Sequence, residues 1–168
     1  MITSQITVLT LTSTGEKQVI RLKHMMWATP YRTGGLRIRG HRASTDVRDA
    51  IVRFSRWLRT AYTFPVRCPV YLSPHAELTT MHGTTASATF FAPWQPNVEP
   101  YIRIATGDYR RPSATRDRDD ALASYLHSLA HELVHYWQWI DTGNITERGV
   151  IVRATKIVDR YALTTDHP

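Results

Sequence analysis

Cysteine is nearly absent from this chain of 168 residues, in which Cys68 stands alone. One thiol excludes an intramolecular disulfide and a cysteine metal cluster. No apolar run approaches the roughly 20 residues that span a bilayer. The stretch from Met1 to Gln5 lacks the charged start and apolar block of a secretory signal, so cytoplasmic residence is the default expectation. No repeat, low-complexity tract or linker divides the chain, and residues 1–168 are expected to form a single domain. Within it, residues 1–43 read as an N-terminal hairpin and basic loop, and 44–163 as the core. An apolar content of 42% with five Trp and eight Tyr describes a globular protein rather than a disordered one.

Acid is scarce in the first part. Residues 1–67 hold twelve Lys and Arg against three Asp and Glu, whereas residues 68–168 hold nine against eleven, for a net +7 overall. Eighteen of the 21 basic residues are arginine, whose planar fork suits phosphate oxygens. The arginines are spread rather than packed into a run, which equally describes a solvated face. If nucleic acid is a partner, Arg37, Arg39, Arg42 and Tyr31 are its expected seat.

What is present is HELVH, His131 to His135, inside the longest helix-like run. Two histidines four apart on a helix lie one turn above each other and can share a metal ion. Glu132 follows the first and can take a proton from a metal-bound water. Over residues 119–140, Leu122, Leu126, Leu129, Leu133, Trp137 and Ile140 form an apolar stripe at helical spacing. His131 and His135 fall opposite it, alongside Ser124, Ser128 and His127, and scattered surface histidines are the bland alternative. Asp117, Asp119 and Asp120 suit the positive end of the helix dipole. His127, one turn before His131, is a candidate substrate contact or an ordinary half-buried histidine.

A catalytic zinc commonly takes three protein ligands. A turn at Asp141–Asn144 precedes a second helical run expected from Thr146 to Leu163. Glu147 aligns there with Ile151, Ala154 and Val158, and a carboxylate on that face calls for a cation; a solvated first-turn acid is its alternative. Asp141 is the rival ligand, reached if the chain turns away after His135. Such a turn normally uses glycine, and Gln138 stands where one is expected. Asp159 reads as a surface charge.

Upstream, residues 6–12 and 18–22 read as a strand pair joined by a turn at residues 14–16. The segment from Trp27 to Arg42 reads as loop or short hairpin. Ser44 or Thr45 caps a helix to about Tyr62, with Val47, Ile51, Phe54 and Leu58 inward and Arg48, Arg53, Arg56 and Arg59 outward. Strands are expected at Val66–Leu72, where Pro69 suggests an edge or bulge, at Thr84–Phe91, and at Tyr101–Ala105. A loop over 107–115 leads into the HELVH helix. This order predicts an α+β fold, with helices on one side of a small mixed sheet.

HELVH on a helix that follows a short sheet and a backing helix resembles the zincin metallopeptidases. The likeness is to compact SprT-like and ImmA/IrrE-like domains, and it covers roughly residues 44–163. It implies one zinc per chain held by His131 and His135, and hydrolysis of peptide bonds by zinc-bound water that Glu132 activates. In gluzincins a glutamate from the following helix is the third ligand, and Glu147 is the matching position. The metzincin pattern would use Asp141, and His167 is the only later histidine. Tyr136, Tyr161 and Arg103 are chemically able to stabilise the oxyanion. A substrate would lie along an edge strand, expected at Thr84–Phe91, and selected proteins are the expected substrates. The alternative is a nucleic-acid-associated protein that works through its basic N-terminal part, with a structural zinc or an inactive protease site.

Overall fold

The computed structural model describes residues 7–11, 17–21, 35–40, 42–80, 83–95, 97–110, 114 and 117–164. Tyr31, His167 and most of the segment from Trp27 lie outside them, as does the turn at residues 14–16. Strands β1 (Thr7–Leu11) and β2 (Lys17–Arg21) pair antiparallel as a hairpin. The main sheet contains β3 (Leu36–Arg39), β4 (Cys68–Ser73), β7 (Ala88–Phe91) and β8 (Tyr101–Ala105), in the order β3-β4-β8-β7. β3, β4 and β8 run parallel and β7 antiparallel, so the sheet is mixed. A two-stranded ladder joins β5 (Leu78–Thr79) to β6 (Thr85–Ala86).

Three long helices lie among the described residues: α1 (Thr45–Ala61), α2 (Arg118–Thr142) and α3 (Val150–Ala162). Period-two alternation sends Leu36, Val70, Ile102 and Ile104 to one side of the sheet, where each is fully buried against the helices. Arg37, Arg39 and Tyr71 alternate to the other side and are exposed. Val47, Ile51, Phe54 and Leu58 on α1 are all fully buried, as their spacing predicts. The chain is therefore α+β, and no described helix is long and apolar enough to cross a membrane.

Several expectations are corrected. Leu36–Arg39 is a strand rather than loop, an alternation of only four residues beside glycines. The strand expected at 84–91 divides at Ser87, because its first part pairs with β5 and its second with β8. Pro69 lies in β4, which has a neighbour on both sides. The Cys68 N–H donates to Gly35 of the β3 side, so the position after it faces β8, whose ladder with β4 begins only at Val70. The missing N–H of Pro69 therefore costs no bond.

α2 is buried more widely than a single stripe requires. Ala121, Ala130, Val134 and Tyr136 are fully buried as well as the leucines, because α3 packs across the side left by α1 and the sheet. The four leucines alone contribute on the order of 1.5–3 kcal/mol each. The Tyr136 hydroxyl donates to the Val66 carbonyl at 2.7 Å and accepts from its N–H at 3.1 Å, fixing α2 to the entry of β4. Asp117 caps the start of α2, and Gly143, at φ +70°, ends it.

Candidate metal centre

α2 carries His131 and His135 one turn apart, with ring centroids 4.9 Å from each other. Glu147 reaches both. Its Oε1 lies 3.1 Å from His135 Nε2, and its Oε2 lies 3.4 Å from His131 Nε2. Ligand atoms from the three residues fall within 4.8 Å of one another. Donors about 2 Å from a zinc ion stand roughly 3.3 Å apart in a tetrahedral set, so the residues fit the ion.

Glu147 is not on a helix. Gly149 adopts φ +73° and caps α3, which begins at Val150 rather than Thr146. The buried face of α3 is Val150, Ala154, Ile157 and Tyr161, while Ile151 is 64% exposed. The expected alignment of Glu147 with Ile151 and Val158 is thus overturned, yet its carboxylate arrives at the histidines from the preceding loop.

Gln138 holds that loop. Its Oε1 accepts from the Thr146 N–H at 3.0 Å and contacts His135 Nδ1 at 3.2 Å. A backbone N–H only donates, so the shared oxygen must also accept from Nδ1. His135 Nδ1 therefore carries a proton, and Nε2 is the nitrogen turned towards Glu147. Nε2 and the Glu147 oxygen, 3.1 Å apart, are joined by a proton when the ring is doubly protonated and can share a metal ion when it is not, and His135 is only 5% exposed. Burial first, then the neighbouring His135, lowers the pKa of His131 against the opposing pull of Glu147, so that ring too favours its neutral, metal-binding form. The Glu147 side chain is 76% exposed, which leaves the group open to solvent on that side.

Glu132 lies beside the pair, and burial, then the charge of Glu147, raises its pKa to about 7. The Phe90 backbone N–H donates to its carboxylate and partly offsets the rise. Phe90 belongs to β7, the edge of the sheet. Ala105 donates to the Ser87 carbonyl, so Ser87, Thr89 and Phe91 turn their backbone groups to β8. Ala88 and Phe90 turn theirs off the edge, towards Glu132.

The other sequence candidates are elsewhere. α2 continues through Thr142, so the chain makes no turn after His135 and Asp141 stays exposed on the last helical turn, outside the group. Asp159 is exposed on α3. His127 meets Thr155 of α3 at 3.2 Å. Tyr136 is committed to Val66, and Tyr161 is fully buried with its ring 4.9 Å from Phe54 and 5.3 Å from Trp57. Arg103 alternates to the face of the sheet away from α2. None of these three supplies an oxyanion donor beside Glu132. Cys68 is buried, which pushes its thiol pKa up and keeps it inert. Gln138 and the Phe90 N–H were missed from sequence. Gln138 was detectable, since it stands three residues after His135 on the same helical face.

No family model, curated protein or solved structure matches this chain.

Proposed function

We propose that this chain is a zincin-type zinc metallopeptidase with a gluzincin-like ligand set. The observation that carries the reading is the convergence of His131, His135 and Glu147, with Gln138 fixing the ring proton of His135 on the far nitrogen. His131, His135 and Glu147 would hold the ion. Zinc, when bound, supplies Lewis acidity that polarises a carbonyl and acidifies water. Glu132, with a pKa near neutrality, is suited to take a proton from water and return it to the leaving amine. A peptide added in extended form to the β7 edge would find the outward N–H and carbonyl of Ala88 and the carbonyl of Phe90, whose N–H is held by the Glu132 carboxylate. The open, Glu147 side supports entry of an extended segment of a selected protein substrate.

Elemental analysis and zinc titration of the untagged protein test the reading, together with Glu147→Ala and Asp141→Ala. About one zinc per chain is expected, bound more weakly after Glu147→Ala and unchanged after Asp141→Ala, with hydrolysis of a peptide library lost on chelation. A protein that takes up no zinc after reconstitution sinks the proposal, and loss at Asp141 alone moves the third ligand there.

A further inference from the structure

The face of the main sheet turned away from the metal centre is neither apolar nor simply charged. Pairing registers place Arg39, Tyr71, Arg103 and Thr89 in one row across all four strands. In the adjoining row Arg37 stands opposite Pro69, and Tyr101 opposite Phe91. The rings form a continuous strip: Tyr71 meets Tyr101 edge-on at 6.0 Å, and Tyr101 stacks on Phe91 at 4.8 Å with 20° between the planes. Tyr71 is 45% exposed, so the strip is open at its β4 end, while Tyr101 and Phe91 are half-buried.

A recess lies at each end of the strip. At the β3 edge, a cleft of about 470 Å³ opens between β3 and α1, lined by Arg37, Ile38, Arg39, Arg48, Val52 and Arg59. At the β7 side, a smaller one of about 240 Å³ is lined by Thr79, Thr89, Phe91, Tyr101 and Arg103. Among the described residues, no carboxylate pairs with Arg37, Arg39 or Arg103, and their guanidinium donors face solvent or the recesses. Arg42 is exposed but lies outside the larger cleft.

We infer that this face binds single-stranded nucleic acid, with a base stacked on Tyr71 beside the Tyr101–Phe91 pair and the phosphates tracked by Arg37, Arg39 and Arg103. Rings on neighbouring strands with arginines interleaved in register satisfy both halves of such a ligand. A duplex hides its base faces in its own stack, and an acidic peptide uses the guanidinium groups but has no use for the rings. The inference is independent of the metal centre, which occupies the other side of the sheet.

Fluorescence anisotropy tests it on the full chain, with oligothymidylate and oligouridylate probes of about 15 nucleotides and a duplex of the same length. The single strands are expected to bind at about 50 mM salt, tighter than the duplex, with the two arms telling DNA from RNA. Tyr71→Ala should weaken binding roughly 10- to 100-fold, and Tyr71→Trp should restore it. Changing Arg37 and Arg39 together to Ser should flatten the slope of log affinity against log salt by about 1.4. Circular dichroism verifies that each variant is folded. No binding at low salt, preference for duplex, indifference to Tyr71→Ala in a folded variant, or displacement by polyglutamate at equal charge would each overturn the inference.

Discussion

At the β7 edge of the main sheet the converging groups are acceptors: two imidazole nitrogens, the Glu147 carboxylate and the Glu132 carboxylate. At the β3 edge they are donors, the guanidinium groups of Arg37, Arg39, Arg48 and Arg59. Burial separates the two cases. His135 is 5% exposed and Glu132 7%, so acceptors held together there cost free energy unless a cation joins them. Arg59 donates to the Leu36 carbonyl at 3.0 Å and Arg48 pairs with Asp49 at 3.8 Å, while Arg37 and Arg39 reach water and need no counter-ion to be stable. The acceptor cluster therefore calls for a proton or a metal ion to join it, whereas the donor cluster argues for a ligand only together with the rings beside it.

The sharpest way to break this contrast is Glu132→Gln. The amide keeps the shape and can still accept from the Phe90 N–H, but it cannot take a proton. Zinc content should be unchanged while peptide hydrolysis falls about 10²- to 10⁴-fold. Tyr71→Ala should leave hydrolysis of a short peptide untouched. If Glu132→Gln retained full turnover, the base would have to lie elsewhere and the role given to the β7 edge would fail.

The same substitution has a second effect, on stability without metal. The folded pKa of Glu132, about 7, exceeds its ordinary value of 4.5, so the folded state holds the proton more tightly than the unfolded state does. That stabilisation is complete below pH 4.5 and is lost as pH rises through 7. Metal-stripped Glu132→Gln should therefore gain roughly 2–3 kcal/mol over the stripped parent at pH 8, and little at pH 4.5. Urea unfolding at the two pH values measures it. An equal effect at both would mean that the folded pKa of Glu132 is not raised above its ordinary value.

Much of the fold was legible because its elements are long or strictly periodic. The α1 stripe Val47-Ile51-Phe54-Leu58 and the strand at Tyr101–Ala105 need only a count of residues. The HELVH pair was legible for the same reason, since four residues on a helix is a geometric statement. Leu36–Arg39 was hidden because four alternating residues among glycines carry little pattern, although the pairing partner is fixed by tertiary structure. The helical alignment that points to Glu147 is one the fold does not support: Gly149 ends the helical register before it reaches that residue. Its position comes from the Gln138–Thr146 hydrogen bond, a contact between residues eight apart that no periodicity reports. The ring strip on the outer face required the strand order, which places Tyr71, Tyr101 and Phe91 side by side from three separate segments.

Gln138 also gives a graded test of the acceptor cluster. Gln138→Ala removes the partner of His135 Nδ1 and of the Thr146 N–H, so the ring loses its preferred tautomer and the loop bearing Glu147 loses its anchor. Zinc affinity should fall about 10- to 100-fold with stoichiometry kept, as is usual when the group that orients a metal-binding histidine is removed. Gln138→Glu should recover most of the affinity, because a carboxylate accepts from both donors. Titration against a chromophoric chelator reads both, and equal loss in the two variants would reduce Gln138 to a packing role.

The smallest expected effect separates the two regions. Tyr71 is half in solvent on the outer face and shares no partner with His131, His135, Glu132 or Glu147, which are served from α2, β7 and the loop before α3. Substitutions at sites without common contacts add to within about 0.5 kcal/mol. Tyr71→Ala should accordingly shift neither the zinc affinity nor the pH-dependent stability of Glu132→Gln by more than that amount, measured as a double-variant cycle. A larger coupling would mean that the sheet transmits strain from its outer face to Phe90 and Glu132, because among the described elements β7 alone offers both a ring to the strip and a backbone donor to the carboxylate.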